Sequence, residues 1–277
     1  MNDLIRQFES QLRAAGSGNA KRAVEELAAH VMGCKPLEIY FKPITPEQKV
    51  GLETLIVRAE QGEPIQYIIG HVDFRGLEIR CDRRALIPRP ETELLVEEVL
   101  KSEVCGLKPL KIVDVGTGTG CIALALLAEL SNAEVTGVDV SPDALALANE
   151  NAAQLGLNGH FTTGQNNLLD GFSESSLDIV VSNPPYILSD VCKKLDSSVR
   201  DFEPKLALDG GADGLDLIRP LVKQAFFILK PSGGIFLEIG YDQGPAVALI
   251  LKNAGFQQVA IKKDLAGLDR IVIGLRF

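Results

Sequence analysis

The sequence predicts an α/β fold: a seven-stranded mixed sheet covered by helices, with an antiparallel hairpin at one edge and a small helical bundle at the N-terminal end. Three observations predict it. From Leu110 onward, apolar runs rich in β-branched residues alternate with helical stretches, the pattern of a parallel sheet covered on both faces. The first run ends in the glycine-rich turn Gly116-Thr117-Gly118-Thr119-Gly120. The last two runs are joined by the loop Lys263 to Asp269 alone, and strands with no crossover between them pair antiparallel.

The elements follow in order. Leu4, Ile5, Phe8 and Leu12 recur at helical spacing, as do Val24, Leu27, Ala28 and Val31. Gly16 to Asn19 separates these two helices, and Thr45-Pro46 supplies an N-cap and a first helical position for a third that runs to about Gly62. Residues 1–69 are therefore expected to form the bundle. Phe74, Leu77 and Ile79 with Gly70 and Gly76 predict a β-hairpin within Tyr67 to Leu86, so that 70–88 joins the bundle to an α/β domain over 89–277. Past the proline-rich stretch Ile87 to Glu93, Leu94, Leu95, Val96 and Val99 open a new helix. Strands are expected near 111–115, 134–139, 159–163, 178–182, 234–239, 256–261 and 270–277. Helices are expected near 120–130, 142–155, 215–229 and 243–253. Phe226 and Phe227 read as core, and Glu25-Glu26 as a solvated helix face.

Composition excludes several classes. The chain has 277 residues, 46% of them hydrophobic and 23% charged, enough to bury a sizeable core. A formal charge of −9 argues against a surface built to hold a nucleic-acid backbone, which needs a positive field. No apolar run approaches the roughly 18 residues of a membrane span, and no secretory signal is visible at Met1 to Arg6. The five cysteines contain no C-x-x-C pair and the three histidines no paired-ligand spacing. Reduced packing cysteines, no metal and a cytoplasmic location are the expectation.

Two segments carry chemistry. The glycine turn follows the strand Ile112 to Val115, where glycines let the backbone approach a ligand and turn sharply into a helix. Its G-x-G-x-G spacing differs from the G-x-G-x-x-G of dinucleotide binders. Asp139 ends the next strand about 20 residues on, where a carboxylate can accept hydrogen bonds from both ribose hydroxyls. A nucleoside cofactor without a pyrophosphate fits this order, and S-adenosylmethionine (SAM) is such a molecule. Asp114 suits its ammonium end, or caps the glycine loop, or does both. The second segment is Asn183-Pro184-Pro185-Tyr186, set directly after the apolar run Leu177 to Ser182. Two prolines fix φ and remove two backbone donors. The Asn183 amide oxygen and the Pro184 carbonyl can then accept both hydrogens of a planar NH2 group, while Tyr186 adds a flat aromatic face. This points to chemistry on an amide or aromatic amine nitrogen, without choosing between them.

With these motifs in hand, the chain resembles the HemK/PrmC family of SAM-dependent glutamine N5-methyltransferases acting on peptide-chain release factors. The likeness runs through Gly62-Glu63-Pro64-Ile65-Gln66-Tyr67, Pro88-Arg89-Pro90-Glu91-Thr92-Glu93, Asp114 to Gly120 and Asn183 to Tyr186. It continues through Glu203-Pro204, Ala207 to Gly214, Glu238-Ile239-Gly240 with Gln243-Gly244, and Asp264 to Arg270. The resemblance implies a Rossmann-like class I methyltransferase fold. It implies that Gly116, Thr117, Gly118, Thr119, Gly120 and Asp139 hold SAM, with Asn167 and Leu168 bordering its adenine and Asn183 touching cofactor and substrate. It implies release factors 1 and 2 as protein substrates, docked through the helical bundle. Asn167 departs from the family's usual acidic residue, and Leu168 from its usual aromatic one. The rival readings are an adenine-N6 methyltransferase on DNA or RNA, a non-catalytic SAM- or nucleotide-binding partner protein, and a dehydrogenase. The negative charge weighs against the first, an intact Asn183 with every loop glycine against the second, and the glycine spacing against the third.

Overall fold

A computed structural model describes residues 1–106 and 109–277, which divide into two compact units. The first is Met1–His71 with Asp196–Phe202. It contains helices α1 (Asn2–Ala14), α2 (Ala20–Met32), α3 (Pro46–Glu60) and α4 (Ile65–Ile69), with a 3-10 turn at Pro36–Tyr40. Ile5, Phe8 and Leu12 of α1 and Val24, Leu27 and Ala28 of α2 bury their stripes on Ile39, Leu52 and Ile56. Thr45 caps α3 as its sequence predicts: its hydroxyl accepts from Gln48 N at 3.2 Å and the Gln48 side chain accepts from Thr45 N at 3.0 Å. Tyr67 lies in α4 rather than in a hairpin. Glu25 is half-buried and accepts the Tyr40 hydroxyl, so this helix face is not simply solvated.

The second unit is Val72–Leu195 with Glu203–Phe277. Val72 onward forms most of its opening hairpin, β1 (His71–Phe74) and β2 (Leu77–Arg80), whose two-residue turn has positive φ at both Arg75 and Gly76, the geometry that matches strand twist. Then come α5 (Thr92–Leu100), β3 (Leu110–Val115), α6 (Cys121–Glu129), β4 (Ala133–Asp139), α7 (Pro142–Gln154), β5 (Phe161–Gln165), β6 (Leu177–Ser182) and the single turn α8 (Ser189–Cys192). The turn α9 (Ser197–Arg200) belongs to the first unit. The chain closes with α10 (Ile218–Ile228), β7 (Leu229–Glu238), α11 (Gly244–Ala254), β8 (Gln257–Lys263) and β9 (Asp269–Leu275).

The seven strands lie in the order β5-β4-β3-β6-β7-β9-β8. β9 runs antiparallel to both β7 and β8, which gives the mixed sheet and its edge hairpin. Strand residues alternate between two cores, as a period of two requires. Ile112, Ile179, Val181 and Phe236 pack with α5 and α6 on one face. Val113, Val180, Ile235 and Leu237 pack with α10 and α11 on the other. Phe226 is partly buried against that second core, but Phe227 is 52% exposed, a correction to its reading as core. The helical stripe of α10 explains it: Ile218, Leu221, Val222 and Ala225 point inward, and Phe227 falls outside that arc.

The sheet order sets the site. The chain builds outward from β3 through β4 to β5, then returns to place β6 on β3's other side. Open α/β sheets bind ligands at such a reversal, beyond the strands' carboxyl ends. Val115 and Ser182 are register partners there, so the glycine turn and the Asn183 turn leave the sheet side by side.

Candidate active site

A cavity of about 370 Å³ lies at this reversal, within the roughly 300–1,000 Å³ of small-molecule sites. Gly116, Thr117, Gly118 and Thr119 form one wall. Gly116, Gly118 and Gly120 have φ of +71°, +55° and +82°, a region costly for residues with a Cβ, which explains the G-x-G-x-G spacing. Gly120 caps α6 rather than lining the cavity, and an added Cβ there would sit 3.2 Å from the Ala148 Cβ. Gly116 N and Thr117 N donate to the Val138 carbonyl, at 2.8 and 3.0 Å, and tie the turn to β4.

Asp114 is fully buried under the turn and does not line the cavity. Its Oδ2 accepts the Thr117 hydroxyl at 2.7 Å, while its Oδ1 has no partner among the described residues. Burial pushes its carboxyl up to about 7, against the opposing pull of the Thr117 hydrogen bond. The capping role is thus visible. Asp139 lines the cavity. Its Oδ2 accepts from Gly118 N at 3.1 Å and its Oδ1 from Ser141 N at 3.0 Å. Each oxygen keeps a second lone pair for a ligand hydroxyl.

Asn167 and Leu168 line the same cavity beside Val138 and Val140. Leu168 has φ +55°, a conformation costing a leucine about 1–2 kcal/mol. Such strain is typical of a residue held for a purpose. Nothing in the sequence announces it.

Asn183, Pro184 and Pro185 form the opposite wall. The Asn183 Nδ2 donates to the Thr92 hydroxyl at 3.1 Å, which leaves its Oδ1 as the free end of the amide. Tyr186 is half-buried and is not a lining residue. Its hydroxyl donates to Glu238 Oε1 at 3.4 Å, and burial, then Glu238, push the phenol up to about 12. The Tyr186 carbonyl is pinned by Gln243 Nε2 at 3.0 Å. Gly210 must lack a side chain because an added Cβ would fall 2.7 Å from the Pro185 carbonyl.

Sequence reasoning left the roles of Arg89 and Glu91 open. Arg89 lines the cavity, and Glu91 is the exposed residue before α5. Arg89 pairs with Glu203 at 2.5 Å, and Glu203 also accepts from Ile87 N at 3.1 Å. This carboxylate, whose side chain is 1% exposed, clamps the proline-rich segment against the site. Asn151 was also missed. Fully buried in α7, it donates to the carbonyls of Thr119 (2.9 Å) and Arg80 (3.1 Å) and accepts from Arg80 N at 2.9 Å. The hairpin and the glycine turn are joined through this one side chain. Its only sequence signal is an asparagine on the inward arc of a helix. Among the described residues no group of three His, Cys, Asp or Glu side chains could hold a metal ion.

Fold and site together define the class: a class I SAM-dependent methyltransferase fold, with an amide-presenting asparagine turn beside the glycine turn. A ribosomal protein L11 methylase from Lactobacillus delbrueckii subsp. bulgaricus shares this fold with a TM-score of 0.52, at 23% identity over 72% of this chain and 86% of that one. The family models that match are the PrmC N-terminal domain over residues 3–70 and the methyltransferase small domain over residues 90–195. The release factor glutamine methyltransferase of Caulobacter vibrioides is 40% identical across 92% of this chain and 88% of its own length. That of Agrobacterium fabrum is 39% identical across 95% and 92%. The chain belongs to the release factor glutamine methyltransferase family.

Proposed function

We propose that this protein transfers a methyl group from SAM to the side-chain amide nitrogen of the glutamine in the Gly-Gly-Gln motif of peptide-chain release factors 1 and 2, in the cytoplasm. The observation that carries the reading is that a single cavity is lined both by Asp139, Asn167 and Leu168 and by Asn183 and Pro184. A nucleoside site and an NH2-accepting turn are thereby brought to one place.

The residues present fit SAM. Asp139 has a lone pair per oxygen for the two ribose hydroxyls. Val138, Val140 and Leu168 give apolar walls for the adenine, and the Asn167 amide oxygen can accept from its amino group without carrying charge. The buried Asp114 carboxylate, short of one partner, balances an ammonium through the Thr117 hydroxyl and the loop. When bound, SAM supplies an electrophilic methyl on a sulfonium.

The chain's own work is positioning. A glutamine amide nitrogen is a poor nucleophile because its lone pair is delocalised into the carbonyl. Asn183 Oδ1 and the Pro184 carbonyl accept the two N–H groups and turn the nitrogen toward the methyl. Such orientation can contribute on the order of 7–11 kcal/mol. Tyr186, half-buried and outside the cavity lining, supports the turn. No general base is assigned, since the proton on the methylated nitrogen is acidic enough to leave to water after transfer. The helical unit, with Leu37 and Phe41 exposed at 77% and 88%, docks the release factor. Mass spectrometry of release factor 1 after incubation with enzyme and SAM tests the reading: it predicts one methyl on the Gly-Gly-Gln glutamine amide. A methyl on another residue, or none, contradicts it.

A further inference from the structure

Glu238 ends β7 with its carboxylate 1% exposed, and nothing in the mechanism above uses it. The strand register puts it one step from the asparagine turn, because Ser182 pairs with Leu237 and Asn183 and Glu238 follow. Two hydroxyls face it: Thr92 from α5 and Tyr186 from the turn itself. Its Oε2 has no hydrogen-bond partner among the described residues. The charged groups around it are Arg270 on β9 and Glu91 before α5. Arg270 bonds Asp264 at 3.2 Å, and its own buried Nε has no partner among the described residues.

Hydrogen-bond polarity then propagates along this chain. Thr92 accepts from Asn183 Nδ2, so its own hydrogen must point elsewhere, and Glu238, whose carboxylate when ionised only accepts, is what faces it. A Thr92 proton directed at Glu238 leaves the Asn183 amide to meet Thr92 only with its NH2 end, and Oδ1 turns to the cavity. Reverse the polarity and the amide flips, presenting donors to a donor. Resting on the functional reading above, we propose that Glu238 is a positioning residue for methyl transfer: through Thr92 it fixes the end of the Asn183 amide that meets the substrate NH2, and it holds the Tyr186 hydroxyl from the same point. Burial raises the Glu238 carboxyl to about 7, so proton uptake that would reverse the polarity falls within a testable range.

The test compares wild type, Thr92→Val, Thr92→Ser and Glu238→Gln for kcat, substrate KM, SAM affinity and pH dependence. The Asn183 side-chain NH2 resonance is followed by NMR with pH. Thr92→Val and Glu238→Gln are expected to lower kcat about 10- to 100-fold with SAM affinity changed less than about threefold, and Thr92→Ser to restore most of the loss. Wild-type kcat should fall as pH drops through about 7, and Glu238→Gln should lack that limb. The Asn183 resonance should shift over the same pH range in wild type and stay constant in Glu238→Gln. Undiminished kcat in Thr92→Val, or an Asn183 resonance that titrates identically with and without Glu238, overturns the proposal. A wild type that methylates no release factor sinks the functional reading instead, while the resonance still decides the role of Glu238.

Discussion

Replacing Asp114 by Asn should make the second unit's stability respond differently to pH. Asp114 is fully buried, one of its oxygens has no hydrogen-bond partner among the described residues, and burial lifts its carboxyl from the ordinary 3.8 to about 7. The unfolded chain gives up this proton near pH 4, whereas the folded chain holds it to about pH 7. Between those values the folded state binds more protons, so stability falls as pH rises and levels off above 7. A shift of roughly three pKa units at about 1.4 kcal/mol each bounds the effect at about 4 kcal/mol. Asparagine cannot ionise. Its amide oxygen can still accept from Thr117, but its NH2 would occupy the unpartnered position and cost about 1–3 kcal/mol at every pH. Asp114→Asn should therefore be less stable than wild type at pH 4 by about 1–3 kcal/mol and more stable at pH 8 by a similar amount, the two curves crossing between. The assay is urea unfolding followed by circular dichroism, since the chain has no tryptophan, at half-unit pH steps. Parallel curves across that range would refute the reasoning. Under the proposed function the same variant also loses SAM affinity, because the charge balancing the ammonium is gone.

Three further outcomes are expected. Asn183→Ala should abolish methyl transfer while SAM affinity, read by calorimetry, stays within about threefold; retained turnover would contradict the assignment. Gly137→Ala should destabilise by about 1–3 kcal/mol in thermal melts, because its Cβ would lie 2.7 Å from the Thr117 hydroxyl and 2.9 Å from the Phe161 ring. It should also weaken SAM binding, since Thr117 cannot then keep its bond to Asp114. Arg89→Met leaves the buried Glu203 with the Ile87 N–H as its one hydrogen-bond donor among the described residues and should cost about 1–3 kcal/mol, with the double variant Arg89→Met/Glu203→Gln recovering part of the loss.

The sheet was legible because its signals are local. Periods of two and 3.6, the positive-φ glycines and the short loop before β9 fixed seven strands, the mixed topology and the place of the glycine turn. Strand ends shifted by at most two residues, except that β7 begins at Leu229, where an irregularity between Leu177 and Ile179 carries the pairing from Leu229 to Gly234. What stayed hidden was the long-range pairing of polar groups. Glu203 reaches back more than a hundred residues to Arg89 and Ile87, Asn151 joins Arg80 to Thr119, and Glu238 stands between Thr92 and Tyr186. No spacing rule encodes such contacts, because they depend on which strands become neighbours. The strained Leu168 and the Asp196–Phe202 segment, which belongs with the N-terminal helices, were invisible for the same reason. Tyr186 was expected to face the ligand; its hydroxyl turns to Glu238 instead.

In the proposed function, the asparagine turn presents a glutamine amide to SAM. Label transfer tests it most directly: enzyme and methyl-labelled SAM are incubated with release factor 1, with the same factor carrying Gln→Ala in its Gly-Gly-Gln motif, and with double-stranded DNA. Label is expected on the intact factor and none on the other two. Label on DNA, or equal label on the Gln→Ala factor, would contradict it.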